Sequence, residues 1–185
     1  MKENFFYELL KTGQLRVTKE GLVILMGEYN LMFPTRVFLY LQEMLVKSFG
    51  VKGEKLLYDM GKYQTTEAIK RYLKIYNIQK LQKSKIIEFG LKVCTAIGLG
   101  SFEIVKYNPD NLNLILINKK LPTAELYKLT RGRSEKPIDF HISGLFSGAF
   151  SAMFGKNVEC IETKCLACGD PYCQFEVSPK IKPFK

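Results

Sequence analysis

The sequence predicts an α+β fold in which an antiparallel sheet packs against a layer of helices. Three observations lead there. Residues 34–98 hold three successive segments with apolar side chains at helical spacing. Two alternating segments then flank Asn108-Pro109-Asp110-Asn111, a strong turn signal. Finally, a single small-residue helix precedes a hairpin running from Val158 to Val177. Helices and strands come in runs rather than strict alternation, which favours antiparallel pairing over a parallel α/β sheet. A chain of 185 residues that is 46% hydrophobic can bury one sizeable core, so one main domain is expected.

In order, Phe5, Phe6, Leu9 and Leu10 share a helical face that stops at Gly13. Residues 15–18 and 22–26 read as two strands about a turn ending in Gly21. This segment, residues 1–28, is too apolar to be a floppy tail; its Phe5, Phe6, Leu9, Leu22, Ile24 and Leu25 call for cover, and a two-fold dimer interface is expected there. Residues 29–185 form the main domain. Its first helix opens at Pro34 and closes at Gly50. The second begins near Lys52 and runs through Ile75, with Gly61 marking a break or a close helix contact. The third spans Ile86 to Ile97. Strands follow at 102–107 and 112–117. Residues 119–136 read as a surface loop with one helical turn near Ala124–Leu129, and Pro137 opens the last helix, which ends at Gly155.

The net charge of +10 raises nucleic acid or an anionic surface as partners. The cations are mostly Lys spread along helical segments, without an aromatic–basic RNA-binding strand or a basic arm, so no nucleic-acid partner is expected. Arg131-Gly132-Arg133 could hold an anion but reads as a solvated loop. No membrane span or leader core is visible, which points to a cytoplasmic protein. Five cysteines in such a chain argue for metal or free thiols over disulfides.

Four of those cysteines, Cys160, Cys165, Cys168 and Cys173, lie in the C-terminal hairpin. Alternation puts Cys173, Phe175 and Val177 on one face of the return strand, and Val158, Cys160 and Glu162 on one face of the outgoing strand. A carboxylate on that apolar side is costly without a partner. A metal held by Glu162, Cys165 and Cys173 would explain it. Four thiolates in an iron–sulfur or all-cysteine zinc site are the rival. Against that rival, Cys160 would lie about 17 Å from Cys165 in an extended strand.

The helix from Pro137 and the strand that returns along it both span on the order of 27 Å. Glu162 and Cys165 should therefore end near the helix's first turn, beside Asp139 and His141, the sole histidine. These two lie roughly 200° apart around a helix, so only one can face the hairpin. His141 shares a face with Gly144, Leu145 and Gly148. With His141 the metal site would carry less uncompensated charge than with Asp139, and burial penalises the larger charge.

Ser143-Gly144-Leu-Phe-Ser-Gly148, Phe154-Gly155-Lys, Glu162-Thr-Lys-Cys165 and Gly169-Asp-Pro-Tyr-Cys173-Gln-Phe175 resemble the 4-vinyl-reductase domain family, and also the sensor domains of phenol-responsive transcription activators. The resemblance implies a fold like that of trafficking-particle subunits, a dimer, and zinc held by a Glu, two Cys and one Cys near the start of the preceding helix. The first three map onto Glu162, Cys165 and Cys173, and the helix cysteine's position is Asp139 here. By position the fourth ligand is Asp139; by charge and helix face it is His141, which is the choice the sequence favours. Cys160 and Cys168 match no ligand of the pattern.

The resemblance also implies an apolar ligand pocket beside the metal. The function expected is binding of an apolar or aromatic small molecule by a homodimeric domain with a structural zinc. The alternatives are an enzyme or accessory subunit reducing a vinyl group on a tetrapyrrole-like substrate, or a protein-interaction scaffold. No dinucleotide fingerprint, flavin motif or acid–base pair supports the reductase.

Overall fold

The computed structural model describes residues 5–76 and 81–184. The outermost residues of the two expected regions, 1–4 and 185, lie outside the described residues. A short helix α1 (Phe5–Lys11) leads into a small three-stranded antiparallel sheet of β1 (Leu15–Val17), β2 (Val23–Leu25) and β3 (Glu28–Asn30). Three helices follow: α2 (Thr35–Phe49), α3 (Val51–Tyr76) and α4 (Lys83–Ala96). The second sheet contains β4 (Glu103–Asn108), β5 (Asn113–Asn118), β6 (Glu159–Lys164) and β7 (Cys173–Ser178), in the order β4-β5-β7-β6, every pair antiparallel. Between β5 and β6 the chain forms α5 (Pro122–Arg131) and α6 (Phe140–Phe154). The α+β architecture is as the sequence predicts. No helix among the described residues is long and apolar enough to cross a membrane.

Four local expectations change. Residues 28–30 add a third strand to the N-terminal hairpin. The expected loop after residue 119 contains a ten-residue helix, α5, with Pro122 in its first turn and Lys128 and Arg131 in its last. The two arginines of Arg131-Gly132-Arg133 are engaged within the protein: Arg131 pairs with Glu43, and Arg133 Nε donates to the Cys168 carbonyl at 2.8 Å. Helix α6 begins at Phe140 rather than Pro137, with Asp139 as its N-cap residue. The N-terminal segment packs partly on its own chain. Leu9 and Met26 join the core, and the Phe5 ring meets Phe89 edge-on at 5.8 Å, while Phe6 and Leu22 stay exposed.

Helix α6 is apolar all round because it is buried all round. One side carries Phe146 and Phe150 against the sheet, where the Phe146 ring lies 5.3 Å from Phe175 and 4.9 Å from Phe102. The other side crosses α3 at backbone distance. A methyl group at Gly144 would overlap the Tyr58 carbonyl, one at Gly148 the Lys62 carbonyl, and one at Gly61 the His141 carbonyl. Gly61 therefore marks a close contact and not a break; α3 runs through it. Polar bonds lock the crossing. The Thr65 hydroxyl donates to the Leu145 carbonyl at 2.7 Å. The Tyr58 hydroxyl donates to Glu159 at 2.6 Å and accepts the Cys160 N–H at 3.1 Å, which ties α3 to β6. Lys62 reaches the same carboxylate at 2.7 Å.

Because the Gly144 site offers no side-chain atom that could yield, Gly144→Ala should cost about 1–3 kcal/mol or more through overpacking. Chemical denaturation should show a lowered midpoint; a midpoint equal to that of the unmodified protein would mean the two helices can separate freely.

Candidate metal centre and apolar cavity

The hairpin β6–β7 positions three of the predicted ligands. In a regular strand Glu162 and Cys165, three residues apart, would face opposite sides. A bulge corrects this: Glu162 pairs with Phe175 and Lys164 with Gln174, leaving Thr163 as the extra residue. Glu162 and Cys165 then both face inward. After Cys165 the chain makes one 3-10 turn, Leu166–Cys168, closed by Gly169 at φ 90°, a conformation that favours glycine. Asp170 holds this knuckle by accepting the Cys165 N–H at 2.9 Å, and the Leu166 N–H points at Cys173 Sγ at 3.3 Å.

Asp139 completes the group. Ligand atoms of Asp139, Glu162, Cys165 and Cys173 all lie within 4.8 Å of one another. Each carboxylate has one oxygen fixed and one bare. Asp139 Oδ1 accepts the Thr123 hydroxyl, and Glu162 Oε2 accepts the Asp139 N–H at 3.0 Å. Asp139 Oδ2 and Glu162 Oε1 are buried with no partner among the described residues. Such second-oxygen bonds are how proteins orient metal-binding carboxylates. Neither carboxylate has an ion pair among the described residues.

Electrostatics report the same crowding. Burial, then the charge of Glu162, raises the Asp139 pKa well above its usual range. Burial, then the charge of Cys165, does the same to Glu162. A hydrogen bond from the Cys173 thiol lowers Cys165 to about 7, and the same bond pushes Cys173 upward. Four acidic groups thus share a buried space with fewer protons than they would hold apart. A dication answers that arrangement, and two sulfurs with two oxygens is a donor set that zinc accepts.

His141, favoured over Asp139 on charge, stands elsewhere. Its Nε2 lies 3.2 Å from Gln64 Oε1 and its ring meets Phe38 edge-on at 4.8 Å. Burial lowers its pKa to about 4. Starting the helix at Phe140 leaves Asp139 at the N-cap, turned to the hairpin, while His141 in the first turn points away from it. Cys160 is buried in the sheet, and Cys168 is half-buried on the knuckle; neither belongs to the group.

His141 faces a cavity of about 740 Å³ between α2, α3, α4 and α6. Its wall is apolar, with Phe38, Met60, Ile69, Leu91, Leu145 and Phe150 among the lining, and contains no Asp, Glu, Lys or Arg. Sequence reasoning expected such a pocket but assigned His141 to the metal instead. Leu31, Met32 and Phe33 line the cavity and remain exposed. A smaller space of about 270 Å³ adjoins the metal-candidate group and is lined by Tyr58, Phe140, Cys160, Glu162 and Phe184.

Residues 124–179 match the 4-vinyl-reductase (V-4-R) domain, so the chain carries that domain across α5, α6 and the metal-candidate hairpin. Its fold is that of the phenol-responsive sensory domain of the transcription activator PoxR, solved with phenol: TM-score 0.81, 20% identity, 94% of this chain and 88% of that one covered. It is also similar to a trafficking protein particle complex subunit 3 from Naegleria fowleri covalently bound to palmitic acid (TM-score 0.59, 18% identity, 82% and 98% covered). A third neighbour is a vinyl-4-reductase family protein from Methanocaldococcus jannaschii (TM-score 0.54, 21% identity, 80% and 83% covered). In sequence, an uncharacterized protein of Methanocaldococcus jannaschii is 26% identical over 121 residues, 62% of this chain and 53% of that protein. The chain thus matches about half the length of that relative.

Proposed function

We propose that this chain is a small-molecule-binding domain that takes an apolar ligand into the cavity between α2, α3, α4 and α6. The observation that carries this reading is an uncharged cavity of about 740 Å³, within the roughly 300–1,000 Å³ typical of ligand sites. Two neighbours of the same fold are described with phenol and with palmitic acid, both largely apolar molecules, which supports it. Protein purified from its own source should retain such a ligand, seen in native mass spectrometry as a mass lost on denaturation. If no mass is retained and a panel of apolar compounds fails to bind, the reading falls.

The metal-candidate group has a structural role in this proposal. Zinc would be held by Asp139, Glu162, Cys165 and Cys173, tying the start of α6 to the hairpin. Zinc is redox-inert and supplies a fixed charge there, and its binding would contribute directly to folding. One zinc per chain is expected by elemental analysis. Asp139→Ala and Cys173→Ser should lose the metal, whereas His141→Ala should keep it. A stability loss of about 2 kcal/mol would lower the melting temperature by roughly 4–8 °C in a domain of this size. Metal retained in Asp139→Ala and lost in His141→Ala would reverse the assignment, and an iron–sulfur absorption spectrum would remove zinc altogether.

The assembly proposed is a two-fold dimer that uses the N-terminal segment, residues 1–28. Support comes from exposed apolar side chains on and beside it: Phe6, Leu22, Tyr29, Leu31 and Met32. Sedimentation at micromolar concentration should give a dimer; a monomer there would exclude this interface.

A further inference from the structure

The cavity wall holds one point of unfilled polarity. Two of its hydroxyls are committed within the protein: Thr65 donates to the Leu145 carbonyl, and Thr123 to Asp139. His141 differs. It is 7% exposed, its Nε2 meets Gln64 Oε1 at 3.2 Å, and its Nδ1 has no partner among the described residues. Both His141 and Gln64 line the cavity. An imidazole carries two hydrogen-bonding nitrogens, so a ring with one bond made is half satisfied. A ligand consisting only of hydrocarbon would leave that demand unmet under apolar cover, which costs free energy.

Charge decides what kind of polar group fits. With no Lys or Arg in the wall, a carboxylate or phosphate would enter without a counter-ion, and an unpaired buried charge is strongly disfavoured. With no Asp or Glu, an ammonium fares no better. Size decides the rest. At about 740 Å³ the cavity lies in the upper part of the usual range, and a single small ring would leave much of the wall without packing partners.

We infer that the cavity selects a neutral amphiphile larger than one aromatic ring, with a hydroxyl group set against His141 and Gln64 and a hydrocarbon body along the remaining wall. This rests on the cavity being a ligand site, as proposed above. If the Gln64 carbonyl accepts the Nε2 hydrogen, Nδ1 is left as an acceptor, which suits a hydroxyl better than a carbonyl.

Three probes sharing one fifteen-carbon isoprenoid skeleton separate the possibilities: farnesol, farnesoate and farnesene. Each is titrated at neutral pH against the full chain carrying Nile red, an uncharged reporter of apolar sites. Farnesol should displace the dye at least about tenfold more tightly than either of the others, the scale of one buried hydrogen bond. In His141→Phe and Gln64→Leu the advantage over farnesene should vanish while farnesene affinity is kept. Farnesene affinity also reports that the variants remain folded. Farnesoate binding as tightly as farnesol would overturn the inference, as would an alcohol preference that survives both substitutions. If farnesene matches farnesol in the unmodified chain, the polar subsite is wrong and the ligand cavity stands. If neither the dye nor any probe finds a site, the cavity reading fails and this inference with it.

Discussion

The backbone-to-backbone crossing of α3 and α6 is the constraint on which the rest of the structure depends. Gly61, Gly144 and Gly148 let two helices meet where any side chain would collide with a carbonyl. This contact fixes α6 about its own axis. Once that rotation is set, Phe146 and Phe150 face the sheet, His141 faces the cavity, and Asp139 at the helix start faces the hairpin. The contact also holds the cavity open on one side, since helices locked by their backbones cannot slide together to fill it. Packing density is thus high on one flank of α6 and low on the other, within a single core.

The hairpin works by a different principle. Its acidic side chains are concentrated where water is excluded, and the cost is offset locally. The amide of Asp139 and the hydroxyl of Thr123 each take one carboxylate oxygen, and the positive end of α6 lies alongside. The oxygens left bare aim toward the thiols. Counting formal charge alone therefore misjudged the fourth position. An Asp at the N-cap brings its own amide and the helix dipole, which His141, deeper in the first turn, cannot supply.

Much of the architecture was legible because periodicity is strong in this chain. The three middle helices, the hairpin about Asn108–Asn111 and the C-terminal hairpin all follow from spacing and turn residues. Glu162, Cys165 and Cys173 were legible for a chemical reason: a carboxylate on an apolar strand face needs a partner. The bulge at Thr163 was not legible, because nothing in Glu-Thr-Lys-Cys distinguishes a bulged strand from a regular one. Helix α5 could have been found from Pro122, Glu125 and the basic last turn. The true start of α6 was obscured by Pro137, a residue that often opens helices and here sits before the N-cap.

Asp139 and His141 are two residues apart, yet one belongs to the metal-candidate group and the other to the cavity wall. The first turn of α6 is therefore common ground for two occupants that never touch. Should a cavity ligand tilt that turn, metal affinity must change, and linkage requires the metal to change ligand affinity by the same factor. Such reciprocity needs no conformational route across the domain, only a rigid stub of helix with a different guest on either side.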